Sequence, residues 1–156
     1  MIKLHAISVR VYFEDTDAGG IVYYANYLKF FERARSDWLR TLGVNHRDLA
    51  DQGLGLVVRD CAVQYLKPAR LDDLIVIEVG VNEPAKDVRR ASIRFAQRAL
   101  TPDGRTELAT GSIRIACVDL RSGRPAGLPD GLMDRISTAA LSAAPNPTTE
   151  RTAEPQ

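Results

Sequence analysis

Apolar and polar positions alternate from near the start of the chain. Val9, Val11 and Phe13 interleave with Arg10 and Tyr12, and this period of two predicts a strand over residues 4–13. The block DTDAGGIVYYANY (15–27) breaks the alternation. From Tyr27 the period lengthens: Tyr27, Phe30, Phe31, Ala34, Trp38 and Leu42 recur at helical spacing, and Leu28 and Leu39 widen the apolar stripe. Phe30, Phe31 and Trp38 are core candidates. Arg40 lies in the last turn and Gly43 suits a left-handed C-terminal cap, which gives one helix of about 17 residues.

Beyond this helix the chain reads mostly as β. Residues 46–52 form a short helical turn closed by Gly53, and strands follow over 56–66, 74–81, 88–100 and 106–118. Lys67-Pro68 stops the first of these, and Pro102-Asp103-Gly104 marks a turn between the last two. In 88–100, Ala91, Ile93, Phe95, Gln97 and Ala99 share one face, while Arg90, Ser92, Arg94 and Arg98 share the other. In 106–118, Ala109, Ile113, Ile115 and Cys117 line up in the same way. A short helix is predicted over 130–137. The Ala-, Pro- and Thr-rich stretch after it offers few core residues and is expected to be disordered. The predicted organisation is one domain over 1–137 with a tail over 138–156.

One strand, one long apolar helix and four further strands make an α+β architecture, a helix packed on a mostly antiparallel five-stranded sheet. The sheet edges need partners, and joining two copies edge to edge is the economical solution.

Composition narrows the function classes. The 156 residues carry 21 basic and 20 acidic side chains, a net charge of +1 that supplies no global field for nucleic acid. Neither a signal-peptide pattern nor an apolar run of membrane-spanning length is visible, so a cytoplasmic protein is expected. Cys61 and Cys117 sit in apolar runs and are read as buried thiols, and His5 and His46 lack metal-ligand spacing.

The chemistry concentrates in the interrupted block. Between strand and helix the chain must reverse, which Gly19-Gly20 permits. A helix start presents unpaired N–H groups that can hold an oxygen on which negative charge develops. Asp17 stands beside that cradle, so the segment suits attack on a carbonyl; an Asx turn or a helix cap is the alternative reading of the same residues. If residues 13–17 stay extended, Asp15 points to the same side as Asp17, and two close carboxylates raise one pKa; a solvated or turn-capping Asp15 is the other reading. Glu32 and Arg35, one turn apart, are read as a surface salt bridge, and Tyr65 and Pro68 as packing.

The stretch RVYFEDTDAGGIVYYANYLKFFERARSDWLR (10–40), followed in order by VQYLKPARLDDLIVIE (63–78), FAQRA (95–99) and ACVDLRSGRPAGLP (116–129), resembles the acyl-CoA thioesterases of the 4-hydroxybenzoyl-CoA thioesterase superfamily. It is most similar to the branch associated with the Tol-Pal system of Gram-negative bacteria. The resemblance implies a hotdog fold, a long central helix wrapped by the sheet. It also implies hydrolysis of an acyl-CoA thioester without a metal or other cofactor.

Asp17 matches the family's catalytic aspartate, acting as nucleophile or general base. Tyr24 matches the position whose backbone N–H polarises the thioester carbonyl. Gly19 and Gly20 let the acyl group approach. Arg89 and Arg90, near the start of a strand, match basic residues that contact the CoA nucleotide, whose phosphates suit arginine. The resemblance further implies a homotetramer built as a dimer of dimers, and as further partners an acyl carrier protein or an envelope-associated protein. Many members of the Tol-Pal branch carry histidine where this chain has Tyr24. That departure motivates the alternative of a low-activity or non-catalytic module that binds acyl-CoA or acyl carrier protein.

Overall fold

A computed structural model describes residues 1–145 of the chain. In chain order it contains β1 (Ile2–Arg10), a single 3-10 turn (Phe13–Asp15), α1 (Asn26–Thr41), α2 (His46–Asp51), β2 (Leu54–Tyr65), β3 (Leu74–Val81), α3 (Pro84–Asp87), β4 (Val88–Arg89), β5 (Ser92–Leu100), β6 (Glu107–Asp119) and α4 (Leu132–Ala143). One antiparallel sheet runs in the order β1-β3-β5-β6-β2, with β4 paired to β5.

The helical stripe predicted from Tyr27 onward forms α1. Tyr27, Phe30, Phe31, Ala34, Trp38 and Leu39 are all buried, and α1 lies against β1, β3 and β5. Trp38 meets Phe95 edge to face with ring centroids 5.7 Å apart, joining helix to sheet. Gly43 has φ +76° and its N–H donates to the Arg40 carbonyl, so the left-handed cap forms where it was expected. The opposing sheet face supplies Ile75, Ile77, Val79, Ile93, Phe95 and Ile113.

Several expectations need correction. The strand expected over 88–100 is two strands. Val88 pairs with Ile93 and Arg89 with Ser92, so the chain reverses at Arg90-Ala91. The sheet therefore has a sixth, two-residue strand. The last helix continues past residue 137 to Ala143, because Leu132, Ile136 and Ala140 are spaced to bury one face. Residues 138–143, expected in the tail, are therefore helical, and residues 146–156 of that expectation lie outside the described residues. Cys117 is buried but Cys61 is exposed. Cys61 lies on the edge strand β2, where Val57, Val58 and Tyr65 are also exposed.

Glu32 and Arg35 do not pair. Arg35 turns inward, where its Nη1 donates to Gln97 Oε1 at 2.7 Å, while Gln97 Nε2 donates to the Phe31 carbonyl at 3.0 Å. Burial pushes the Arg35 pKa down, yet the side chain is satisfied. Glu32 instead accepts from the Ser36 hydroxyl at 2.6 Å, with His46 3.0 Å from that same hydroxyl.

Candidate active site

The interrupted block closes into a tight hairpin between β1 and α1. The Asp17 N–H donates to the Ile21 carbonyl at 2.9 Å, and the Gly20 N–H donates back to the Asp17 carbonyl at 3.0 Å. Gly20 has φ +76°, the left-handed value that ends such a turn and that a side chain resists. Val22 N–H donates to the Ala69 carbonyl at 2.8 Å, so the segment between β2 and β3 holds the hairpin from its far side.

At the tip, Asp17 is exposed and its Oδ1 accepts from the Gly19 N–H at 2.8 Å. A Cβ at position 19 would sit 3.1 Å from that oxygen, so glycine leaves the carboxylate its place. Thr16 pairs with Val22 across the hairpin, and Tyr24 follows two residues later. The hydrogen bonds Tyr23 N–H to Asp15 carbonyl (2.8 Å) and Asn26 N–H to Tyr23 carbonyl (2.8 Å) fix the chain on both sides of Tyr24. Among the described residues nothing accepts from the Tyr24 N–H.

A cavity of about 350 Å³ opens here, lined by Asp17, Ile21, Tyr24, Tyr27, Tyr65 and Pro68 among others. Its wall is aromatic. Tyr24 and Tyr65 meet edge to face at 6.1 Å, and Tyr27 lies 5.7 Å from Tyr65. The Tyr65 hydroxyl donates to the Tyr24 carbonyl at 3.0 Å. Burial raises the pKa of Tyr27, and burial followed by the neighbouring Tyr24 raises that of Tyr65. An apolar wall with one carboxylate and one unpaired N–H suits an acyl group whose carbonyl carbon is attacked and whose oxygen is held.

The structure brings together Asp17, Gly19, Gly20 and Tyr24, but not Arg89 and Arg90. Arg89 pairs with Ser92, Ser92 with Ala116 and Ala116 with Val57, which puts Arg89 level with Val57 at the far end of β2. The Asp17 end is level with Tyr65, roughly 27 Å away at about 3.4 Å per strand residue. Asp15 does not pair with Asp17 but caps its turn, accepting from the Tyr12 N–H. The 3-10 turn ends the extended chain, so Asp15 faces inward, 6% exposed, with partners of its own.

Sequence reasoning took Tyr65 as packing and overlooked its hydroxyl. A tyrosine in the last position of a strand, three residues before Pro68, was the available signal. Among the described residues no cluster of three or more His, Cys, Asp or Glu side chains could hold a metal ion. No helix there is long and apolar enough to cross a membrane.

Residues 11–136 match the family model described as the thioesterase-like superfamily. The chain is 45% identical over 122 residues to the acyl-CoA thioesterase YbgC of Haemophilus influenzae, covering 78% of this chain and 85% of that protein. It is 38% identical over 125 residues to the acyl-CoA thioester hydrolase YbgC of Escherichia coli O6:H1, covering 80% and 90%. Among solved structures, a probable thioesterase from Bartonella henselae superposes with a TM-score of 0.71 at 36% identity, covering 80% of this chain and 98% of that one.

Proposed function

The chain belongs to the thioesterase-like superfamily and is a thioester hydrolase of the hotdog fold, and on that premise we propose that it cleaves acyl-CoA through Asp17 and the Tyr24 backbone N–H. The observation that carries this reading is the free Tyr24 N–H beside an exposed Asp17 carboxylate, both on one aromatic cavity. The thioester oxygen accepts from Tyr24 N–H, and the carbonyl carbon turns toward Asp17. Asp17 then either attacks that carbon, expelling the CoA thiolate and leaving an acyl anhydride for water to open, or takes a proton from the attacking water. Either route ends in free acid and CoA. The backbone supplies the donor, so tyrosine in place of histidine leaves that part of the chemistry intact, and Tyr24 is 60% exposed.

The assembly is a homo-oligomer in this reading. Edge strand β2 exposes Val57, Val58 and Tyr65 beside unpaired backbone groups. Antiparallel pairing of two β2 strands about a two-fold axis buries these residues. It also inverts the partner, so the partner's far end, with its Arg89 and Arg90, lies at the end that holds Asp17. The 3′-phosphate and pyrophosphate of CoA then meet arginines across the interface, while the acyl group enters the cavity. A dimer of dimers extends the same unit.

Thiol release from short aliphatic, long aliphatic and hydroxybenzoyl-CoA tests this reading. Turnover on at least one substrate is expected, with a raised KM and weaker CoA inhibition in Arg89→Ala and Arg90→Ala. Unchanged KM and inhibition in both variants contradict the nucleotide contact. Light scattering that finds a stable monomer contradicts the interface.

A further inference from the structure

Asp15 takes part in no step described above, yet it is the most connected side chain of the hairpin. Its Oδ2 accepts from the Tyr12 N–H at 2.9 Å, and its Oδ1 accepts from Asn26 Nδ2 at 3.0 Å. Its carbonyl accepts from the Tyr23 N–H at 2.8 Å. Asp15 and Asn26 are each 6% exposed. Tyr12 is where the chain leaves β1 for the 3-10 turn, Tyr23 precedes the proposed donor, and Asn26 is the first residue of α1. One residue therefore ties the strand exit, the donor segment and the helix start to a single point.

We propose that Asp15, with Asn26, is a positioning residue that fixes the gap between the Asp17 carboxylate and the Tyr24 N–H. This rests on the assignment of those two groups to the reaction. Asp17 and Tyr24 sit on opposite arms of the hairpin, which is closed near its tip by the short bonds of residues 17–21. Those bonds set the shape of the tip but not its angle to α1. The Asp15 side chain sets that angle, because it is the buried side-chain bond between the arm that carries Asp17 and the helix that follows Tyr24. The Tyr23 and Asn26 N–H groups are both occupied, which holds the chain around Tyr24 so that its own N–H stays free for substrate. Without the brace the backbone bonds still join the two arms, but the hairpin is held less tightly against the start of α1. A misplacement of about 1 Å between reacting groups costs on the order of 10²-fold in rate.

The test compares Asp15→Ala, Asp15→Asn, Asn26→Ala and the double alanine variant by steady-state thiol release, with circular dichroism at the assay temperature. Asp15→Ala and Asn26→Ala are each expected to lower kcat by about 10- to 100-fold with KM within about threefold. Asp15→Asn retains an acceptor for the Tyr12 N–H, and a flipped Asn26 amide can pair with it, so most of kcat returns. The double variant is expected to be no slower than the worse single one, because the pair acts as a unit. A folded Asp15→Ala or Asn26→Ala with kcat within twofold of wild type overturns the proposal. If Asp15→Ala fails to fold, Asn26→Ala and Asp15→Asn carry the same test. An Asp17→Asn variant run alongside separates the two readings. Full activity there overturns the role of Asp17, whereas an inactive Asp17→Asn beside a fully active Asp15→Ala overturns only the brace.

Discussion

The Tyr65 hydroxyl donates to the Tyr24 carbonyl oxygen at 3.0 Å, linking the end of β2 to the entry of α1 across 41 residues of sequence. The peptide beside the proposed donor is thereby held from the sheet as well as from Asp15. In Tyr65→Phe that bond is lost while the ring remains. A neutral hydrogen bond contributes about 1 kcal/mol, so kcat is expected to fall roughly fivefold with little change in stability. The raised pKa of Tyr65 keeps the phenol protonated below about pH 10, and the bond is lost only as pH rises through the raised value. The ratio of wild-type to variant kcat is therefore expected to stay flat from pH 6 to 9, and a kinetic pH profile checks it.

Gly19→Ala tests the room left for the carboxylate. The new Cβ meets Asp17 Oδ1 at 3.1 Å, and the carboxylate must give way by a few tenths of an ångström. The expected outcome is about a tenfold loss of kcat, as a near-attack geometry is disturbed, with an unchanged thermal midpoint. Equal activity of the variant and wild type contradicts the proposed placement of Asp17.

Gly111→Ala tests the packing of helix on sheet. A Cβ there comes within 2.8 Å of the buried Phe31 ring and 3.0 Å of Ile113. Overpacking of a tight core costs about 1–3 kcal/mol. Urea unfolding is expected to show a loss of that size, and a neutral result indicates a looser core than the contacts imply.

Asp60 lies on β2, where Arg94 Nη1 donates to its Oδ1 at 3.1 Å and Arg114 Nε to its Oδ2 at 2.7 Å. Desolvation opposes its ionisation, but the hydrogen bonds from Arg94 and Arg114 outweigh it and hold its pKa below the usual carboxylate value. A depressed folded pKa contributes stability that is present above about pH 4 and lost as pH falls through the folded value. Asp60→Asn is therefore expected to be less stable than wild type at pH 7 and to converge with it in acid. Thermal midpoints across pH 2.5–7 check this, and a gap that does not close in acid contradicts it.

Much of this architecture was legible in the residues. The change from period two to helical period at Tyr27 located α1, and Gly43 located its end, because both signals are local. The DTDAGGIVYYANY block located Asp17, Gly19, Gly20 and Tyr24 together, since one hairpin carries all four and sets Asp17 and Tyr24 on one cavity. What stayed hidden depends on non-local partners. Asp15 turns inward because a 3-10 turn and Asn26 claim it, and Arg35 is buried because Gln97 of β5 receives it. Cys61 is exposed because β2 is an edge, which alternation within one strand does not encode. Arg89 and Arg90 lie at the far end of the sheet, so their proposed role depends on a second copy of the chain.

The most direct measurement is thiol release by Asp17→Asn and wild type on the best acyl-CoA of the panel, with circular dichroism on both. The substitution keeps the size of the side chain and an acceptor for the Gly19 N–H but removes the nucleophile or base. The account predicts a folded variant with kcat lower by about two or more orders of magnitude and CoA binding retained. A folded variant that turns over at the wild-type rate contradicts it.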